Sequence, residues 1–173
     1  MKIALTGTPG TGKTTIGKML RDDYGLKVVD LNEVIHAYQY YVEWDEDRDC
    51  GVVDLKALKA HEFSDGLVLE GHLSHHLLVD RVIVLRTDPV VLHARLREKG
   101  YSDRKIQENV EAEILDIILV EALALHDNKT VVEVDSTGVP SRSAPLVWEI
   151  VQGHGLERFA PGRHDWSGHL NDP

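Results

Sequence analysis

The stretch Gly7-Thr8-Pro9-Gly10-Thr11-Gly12-Lys13-Thr14-Thr15 decides the fold, because it follows the apolar run Lys2-Ile3-Ala4-Leu5 and opens a helix-length segment. It fits G-x-x-x-x-G-K-[ST] in full, in the strand-to-helix context that the pattern requires. Glycines let successive backbone N–H groups converge on phosphate oxygens, and the N-terminus of the following helix adds its positive dipole end. Gly10, Thr11, Gly12, Lys13, Thr14 and Thr15 are therefore the expected phosphate-binding residues, with Lys13 reaching the β- and γ-phosphates. The Thr14 hydroxyl is placed to hold Mg²⁺. A nucleoside-triphosphate site is implied.

Outward from this loop, short apolar runs recur with helical stretches between them. Lys2 to Leu5, Lys27 to Val29, Leu67 to Leu69, Val82 to Leu85 and Val131 to Val134 read as five buried strands. Lys13 to Asp23, Asp54 to Phe63, Pro89 to Lys99 and Asp103 to His126 read as helices. The alternation predicts an α/β fold of three layers, a parallel five-stranded sheet covered on both faces, with ligands beyond the carboxyl ends of the strands. Asp88 is placed as an N-cap with Pro89 at the first helical position. In the segment from Asp103, Ile106, Val110, Ile114, Ile117 and Ile118 form an apolar stripe assigned to the core. Glu108, Glu111 and Glu113 fall mainly on the surface.

The 173 residues suit one domain, and 42% hydrophobic with 28% charged residues is a globular composition. A net charge of -10 opposes general DNA or RNA binding, which needs excess Lys and Arg, but leaves room for a small basic pocket. No apolar run approaches the length of a membrane span. The single cysteine, Cys50, has no internal partner, which favours a reducing, cytoplasmic setting.

Leu67-Val68-Leu69 runs into Glu70-Gly71-His72. A carboxylate at the end of an apolar strand suits a Mg²⁺ ligand, so Glu70 joins Thr14 as a metal candidate. His72 reads either as a group beside the transferring phosphate or as a structural histidine. His75-His76 has no nearby cysteine or second acid to complete a zinc set, and zinc is not expected. Arg86 ends the fourth strand and is expected near the phosphates. Arg95, Lys99 and Arg104 bracket a Gly-containing turn whose cations would close over transferring phosphate.

Taken in order, Thr6 to Thr15, Asp45-Glu46-Asp47-Arg48-Asp49-Cys50, Glu70-Gly71-His72, Leu85-Arg86-Thr87-Asp88 and Lys99-Gly100-Tyr101 followed by Glu108-Asn109-Val110 resemble one family. It is the short adenylate kinases of archaea and eukaryotic nuclei, the coilin-interacting nuclear ATPase type, and the resemblance covers about Met1 to Gly153. It implies a P-loop nucleoside-monophosphate-kinase fold over residues 1–153, with a monophosphate-binding region near 30–53 and a short lid near 98–108. It implies ATP and AMP as substrates, ATPase activity, and a role in small ribosomal subunit maturation through a basic ribosomal protein. Lys13, His72, Arg95 and Lys99 are then the catalytic candidates, Lys99 also binding nucleotide. The chain departs from the family at Glu70, where Asp is common, and at His36 and Lys99, where arginines stand. In such folds Asp135-Ser136-Thr137-Gly138 seats the adenine; its other reading is a turn and cap before Pro140.

Glu43 to Asp49 reads either as a solvated acidic loop or as a surface for a basic partner. Residues 154–173, rich in Gly, His and Pro, read as a tail anchored chiefly by Trp166. Two rival functions stay open: an assembly ATPase that switches ribosomal-protein binding, and a kinase for another small molecule, such as a shikimate-type kinase.

Overall fold

The computed structural model describes residues 1–46 and 50–171. Its core is a five-stranded parallel sheet built from β1 (Ile3–Thr6), β2 (Lys27–Asp30), β5 (Leu67–Glu70), β6 (Arg81–Arg86) and β7 (Val131–Asp135), in the order β2-β5-β1-β6-β7. The five expected strands are all present. A separate antiparallel pair, β3 (Tyr41–Asp45) and β4 (Cys50–Val53), stands where the acidic segment was read as a loop. Asp47, Arg48 and Asp49 of that segment lie outside the described residues.

Strand periodicity of two sorts the core into faces. Ile3, Leu5, Ile83, Leu85, Val132 and Val134 point to one side, against Ile16 and Leu20 of α1 (Lys13–Asp22) and Ala144, Val147 and Ile150 of α7 (Pro140–Val151). Ala4, Val82, Val84 and Val131 point to the other, under Leu119 and Ala122 of α6 (Ile117–Leu125). At the β2 edge, α2 (Leu31–Ala37) and α3 (Leu55–Ala60) bury Leu31, Ile35 and Leu58. The α4 helix (Pro89–Glu98) packs on α5 (Asp103–Ile114) through Leu92, Leu96 and Ile106. As expected, Asp88 caps α4 through Val90 N–H (2.8 Å), with Pro89 at its first turn.

The helix expected from Asp103 to His126 is two helices. It breaks at Leu115-Asp116, where Asp116 takes a left-handed backbone (φ 56°). The cause is Arg86, whose Nη2 bonds the Glu113 carbonyl (3.2 Å) and the Asp116 carboxylate, pulling both away from a continuous helix. The stripe therefore does not stay in the core: Ile106 is buried, but Ile117 on α6 is exposed. The α7 helix starts at Pro140, where a turn and cap was one of two readings of residues 135–138, although Val139 is its N-cap and no side chain caps it. Its Pro145 and serines hide an apolar face that the structure buries.

The tail crosses the free edge of β7. Phe159, not Trp166, is its buried anchor, and Gly162 N–H and Arg163 N–H donate to Glu133 Oε2 (2.5 and 3.1 Å). Among the described residues no helix is long and apolar enough to cross a membrane.

Candidate active site

The phosphate loop springs from β1, the middle strand, and closes on α1. Gly7 (φ 142°) leaves no room for a side chain, because a Cβ there would meet Leu85 O at 2.6 Å and Thr11 Oγ1 at 2.8 Å. Gly12 (φ 96°) holds the left-handed turn at the N-terminus of α1, which only glycine adopts without strain. Inside the loop, Lys13 Nζ donates to Gly7 O (2.8 Å) and Thr8 O (3.0 Å). The ammonium is thus held inside the loop by two of the loop's own carbonyls. Burial lowers its pKa from 10.5 to about 8; Glu70 opposes this shift and Lys99 adds to it.

Thr14 Oγ1 donates to Glu70 Oε1 at 3.0 Å, which brings the two expected metal candidates together. Asp30, at the end of β2, stands opposite Glu70 in the sheet register. Burial first, and then the charge of Asp30, push the Glu70 carboxyl above its ordinary range. Two acids in repulsion beside a hydroxyl form a hard oxygen set, which fits a cation such as Mg²⁺. Sequence reading missed Asp30, although it carries the same signal as Glu70: an acid ending an apolar strand.

Two clefts meet over this loop. The first, about 460 Å³, reaches from Gly12, Lys13 and Thr14 past Glu70 and His72 to Asn32, Tyr41 and Val53, with Tyr101 and Lys105 above. The second, about 370 Å³, runs from Gly10, Thr11 and Thr15 to Arg95, Glu98, Ser136 and Pro140. Lys99, at the C-terminal end of α4, lines both. His72 is set in the wall of the first cleft, and burial, followed by the charge of Lys13, lowers its pKa to about 4. Its ring is neutral at pH 7. Arg95 Nη2 donates to Thr137 O and Gly138 O (both 2.9 Å), so it shapes the turn after β7 at the rim of the second cleft. Lys105 lies over the Tyr101 ring at 4.9 Å, whereas Arg104 pairs with Glu108 on the surface.

An AAA domain family model matches residues 3–116. A protein of Methanocaldococcus jannaschii described as "Putative adenylate kinase" is 40% identical over 172 residues, covering 96% of this chain and 93% of its own. Its namesake in Pyrococcus abyssi is 46% identical over 169 residues, covering 96% and 92%. The chain belongs to this archaeal family. It is a P-loop nucleotide kinase. Shikimate kinase from Bacteroides thetaiotaomicron superposes with a TM-score of 0.55 at 18% identity, over 88% of this chain and 98% of that one, a likeness of fold alone.

In this nucleotide kinase two expectations are corrected. Arg86 does not face the phosphates; it is 1% exposed and its guanidinium is spent on Glu113 (2.9 Å), Glu133 (2.6 Å) and Asp116. Glu113 is not a surface acid. It is 2% exposed, and its second oxygen accepts from Thr8 Oγ1 at 2.5 Å. The phosphate loop is thereby tied to Arg86 and, through Glu133, to the tail. Neither partner could be read locally, since Thr8 and Glu113 are 105 residues apart.

Proposed function

We propose that this kinase moves the γ-phosphoryl group of MgATP to AMP, giving two ADP. The observation that carries the reading is the meeting of two clefts on one phosphate loop, with Lys99 on both. Phosphoryl transfer needs donor and acceptor held in line over a charge-neutralising floor, and little covalent chemistry from the protein. The backbone amides of Gly10 to Thr15 and the Lys13 ammonium hold the β- and γ-phosphates. The second cleft takes the adenosine end of ATP, with Arg95 fixing the Thr137-Gly138 turn along its rim. The first cleft takes the monophosphate. Thr14 and Glu70, with Asp30 alongside, are the residues to hold Mg²⁺, which supplies charge neutralisation to the phosphates when bound. His72, neutral beside Lys13, presents a ring nitrogen to the acceptor side without adding charge. Lys99 screens both substrates, and Cys50 has no chemical part.

Supply of MgATP with AMP, with other nucleoside monophosphates, and alone tests this reading. ADP formation that requires AMP is expected, and Lys99→Ala should lower kcat by roughly 10²-fold, the scale of losing one cationic stabiliser. Turnover on a non-nucleotide alcohol with no response to any monophosphate would overturn it. A second expectation concerns pH. Lys13 binds phosphate only when protonated, and its pKa near 8 in the free protein means the competent fraction falls as pH rises beyond that. The dissociation constant for ATP should therefore rise about tenfold per pH unit above 8 and stay flat between 6 and 7.5. Calorimetric titration across this range checks it, and an unchanged affinity at pH 9.5 would contradict it.

ATPase activity, and engagement of a basic ribosomal protein during small-subunit maturation in the cytoplasm, form a second reading. It is favoured by the β3–β4 pair, which exposes Val42 and Trp44 (each 61%) beside Glu43 and Glu46. An apolar patch rimmed by acids suits a basic protein surface. Phosphate release without AMP, stimulated by such a protein and weakened by salt, would support it.

A further inference from the structure

Away from both clefts, three metal-ligating side chains converge on the opposite side of β1. His75 and His76 lie in the short 3-10 turn Ser74–His76 after β5, and Glu121 reaches them from α6. One ring nitrogen from each histidine and one carboxylate oxygen lie within 4.8 Å of one another. The acid absent from the sequence around His75-His76 thus arrives from a helix 45 residues on.

His75 Nε2 is 3.1 Å from Glu121 Oε2, and His76 Nε2 is 3.9 Å from the same oxygen, beyond hydrogen-bond reach. The two rings sit 4.2 Å apart and turn their nitrogens toward one carboxylate that only one of them can bond as it stands. We propose that His75, His76 and Glu121 form a transition-metal site of the zinc type, with an open fourth position for water. Two imidazoles and a carboxylate suit Zn²⁺ and not Mg²⁺, which prefers oxygen alone. A tetrahedral ion with Zn–N and Zn–O lengths near 2.0–2.1 Å holds its ligand atoms about 3.4 Å apart, so the observed spacings need only small side-chain rotations.

The surroundings favour a site over a chance meeting. The other nitrogen of His75, Nδ1, is held by Thr6 Oγ1 at 3.0 Å, the outer-shell contact that orients a ligating imidazole. His126 Nε2 bonds the His75 carbonyl at 2.6 Å and steadies the turn. The His75 side chain is fully buried, while that of Glu121 is 46% exposed, which gives an ion a way in. Bound metal would fasten the segment just after Glu70 and His72 to α6.

The test is calorimetric titration of the chelator-stripped full chain with ZnCl₂ in excess MgCl₂, which keeps oxygen sites filled. The wild type should bind one Zn²⁺ and melt at a higher temperature with it. His76→Asn and Glu121→Gln, both at partly exposed positions, should each weaken binding by more than about tenfold and abolish the thermal gain, and Thr6→Val should cost about 10- to 100-fold. A wild type that takes no Zn²⁺, or variants that bind it as tightly as the wild type, would overturn the proposal and leave His75–Glu121 a plain hydrogen bond.

Discussion

Lys13→Met lowers kcat/KM for ATP by about 10²–10³-fold while the fold persists, the range set by losing one preorganised charge at developing phosphate charge. Methionine keeps the apolar stem, and the bonds lost are those to Gly7 O and Thr8 O. Burial already costs the ammonium more than two pH units of proton affinity, from 10.5 to about 8, so the charge is held there against the preference of the fold. The thermal midpoint should consequently stay level or rise. Steady-state kinetics with a parallel melt checks both halves; activity within tenfold of wild type would remove Lys13 from the centre of the site.

Arg86→Met destabilises the chain by about 3–5 kcal/mol, the cost of stranding buried charges when one partner is taken away. Glu113 and Glu133 are each 2% exposed, and both lean on this one guanidinium. Against a total stability of about 5–15 kcal/mol, such a loss leaves the protein marginal or unfolded. Urea unfolding gives the measurement. The triple variant Arg86→Met with Glu113→Gln and Glu133→Gln should recover part of the loss, because the stranded groups are then neutral. An unfolding midpoint for Arg86→Met equal to that of the wild type would contradict the account. Nucleotide affinity should also fall in Glu113→Gln, whose altered oxygen no longer holds Thr8 Oγ1 as a charged acceptor.

Lys13 and Arg86 together bear on what the amino-acid sequence can reveal. The loop from Gly7 to Thr15 was legible because its chemistry is local: spacing, glycines and a flanking strand are all contained within fifteen residues. The five strands were legible because a strand buried on both faces reads as a continuous apolar run. Arg86 and Glu113 were misread for the opposite reason. A cation at a strand end reads as a phosphate contact and an acid off the apolar stripe reads as solvated, and nothing local to either shows that the fold sets them 2.9 Å apart. The helix break at Asp116 comes from that same distant arginine, so no pattern within 103–126 announces it. The β3–β4 pair escaped notice because β3 runs into the acidic stretch from Glu43 to Asp49, while its apolar Val42 and Trp44 stay exposed instead of entering a core.

Placement of the candidate site followed the same division. Thr14 and Glu70 were paired from spacing and strand position, and the structure sets them 3.0 Å apart. Asp30 completes the acidic edge only because β2 lies beside β5 in the sheet, an order that chain sequence does not state. Lys99 was singled out as a cation on a turn, but its place between two clefts depends on how α4 packs over the loop.

Direct passage of phosphate between two nucleotides is the central claim, and a single-turnover experiment with γ-labelled ATP, Mg²⁺ and AMP tests it most directly. The account predicts that the label is recovered as the β-phosphate of ADP formed from AMP, with no release when AMP is omitted. Label recovered as free phosphate, at the same rate with and without AMP, would contradict it.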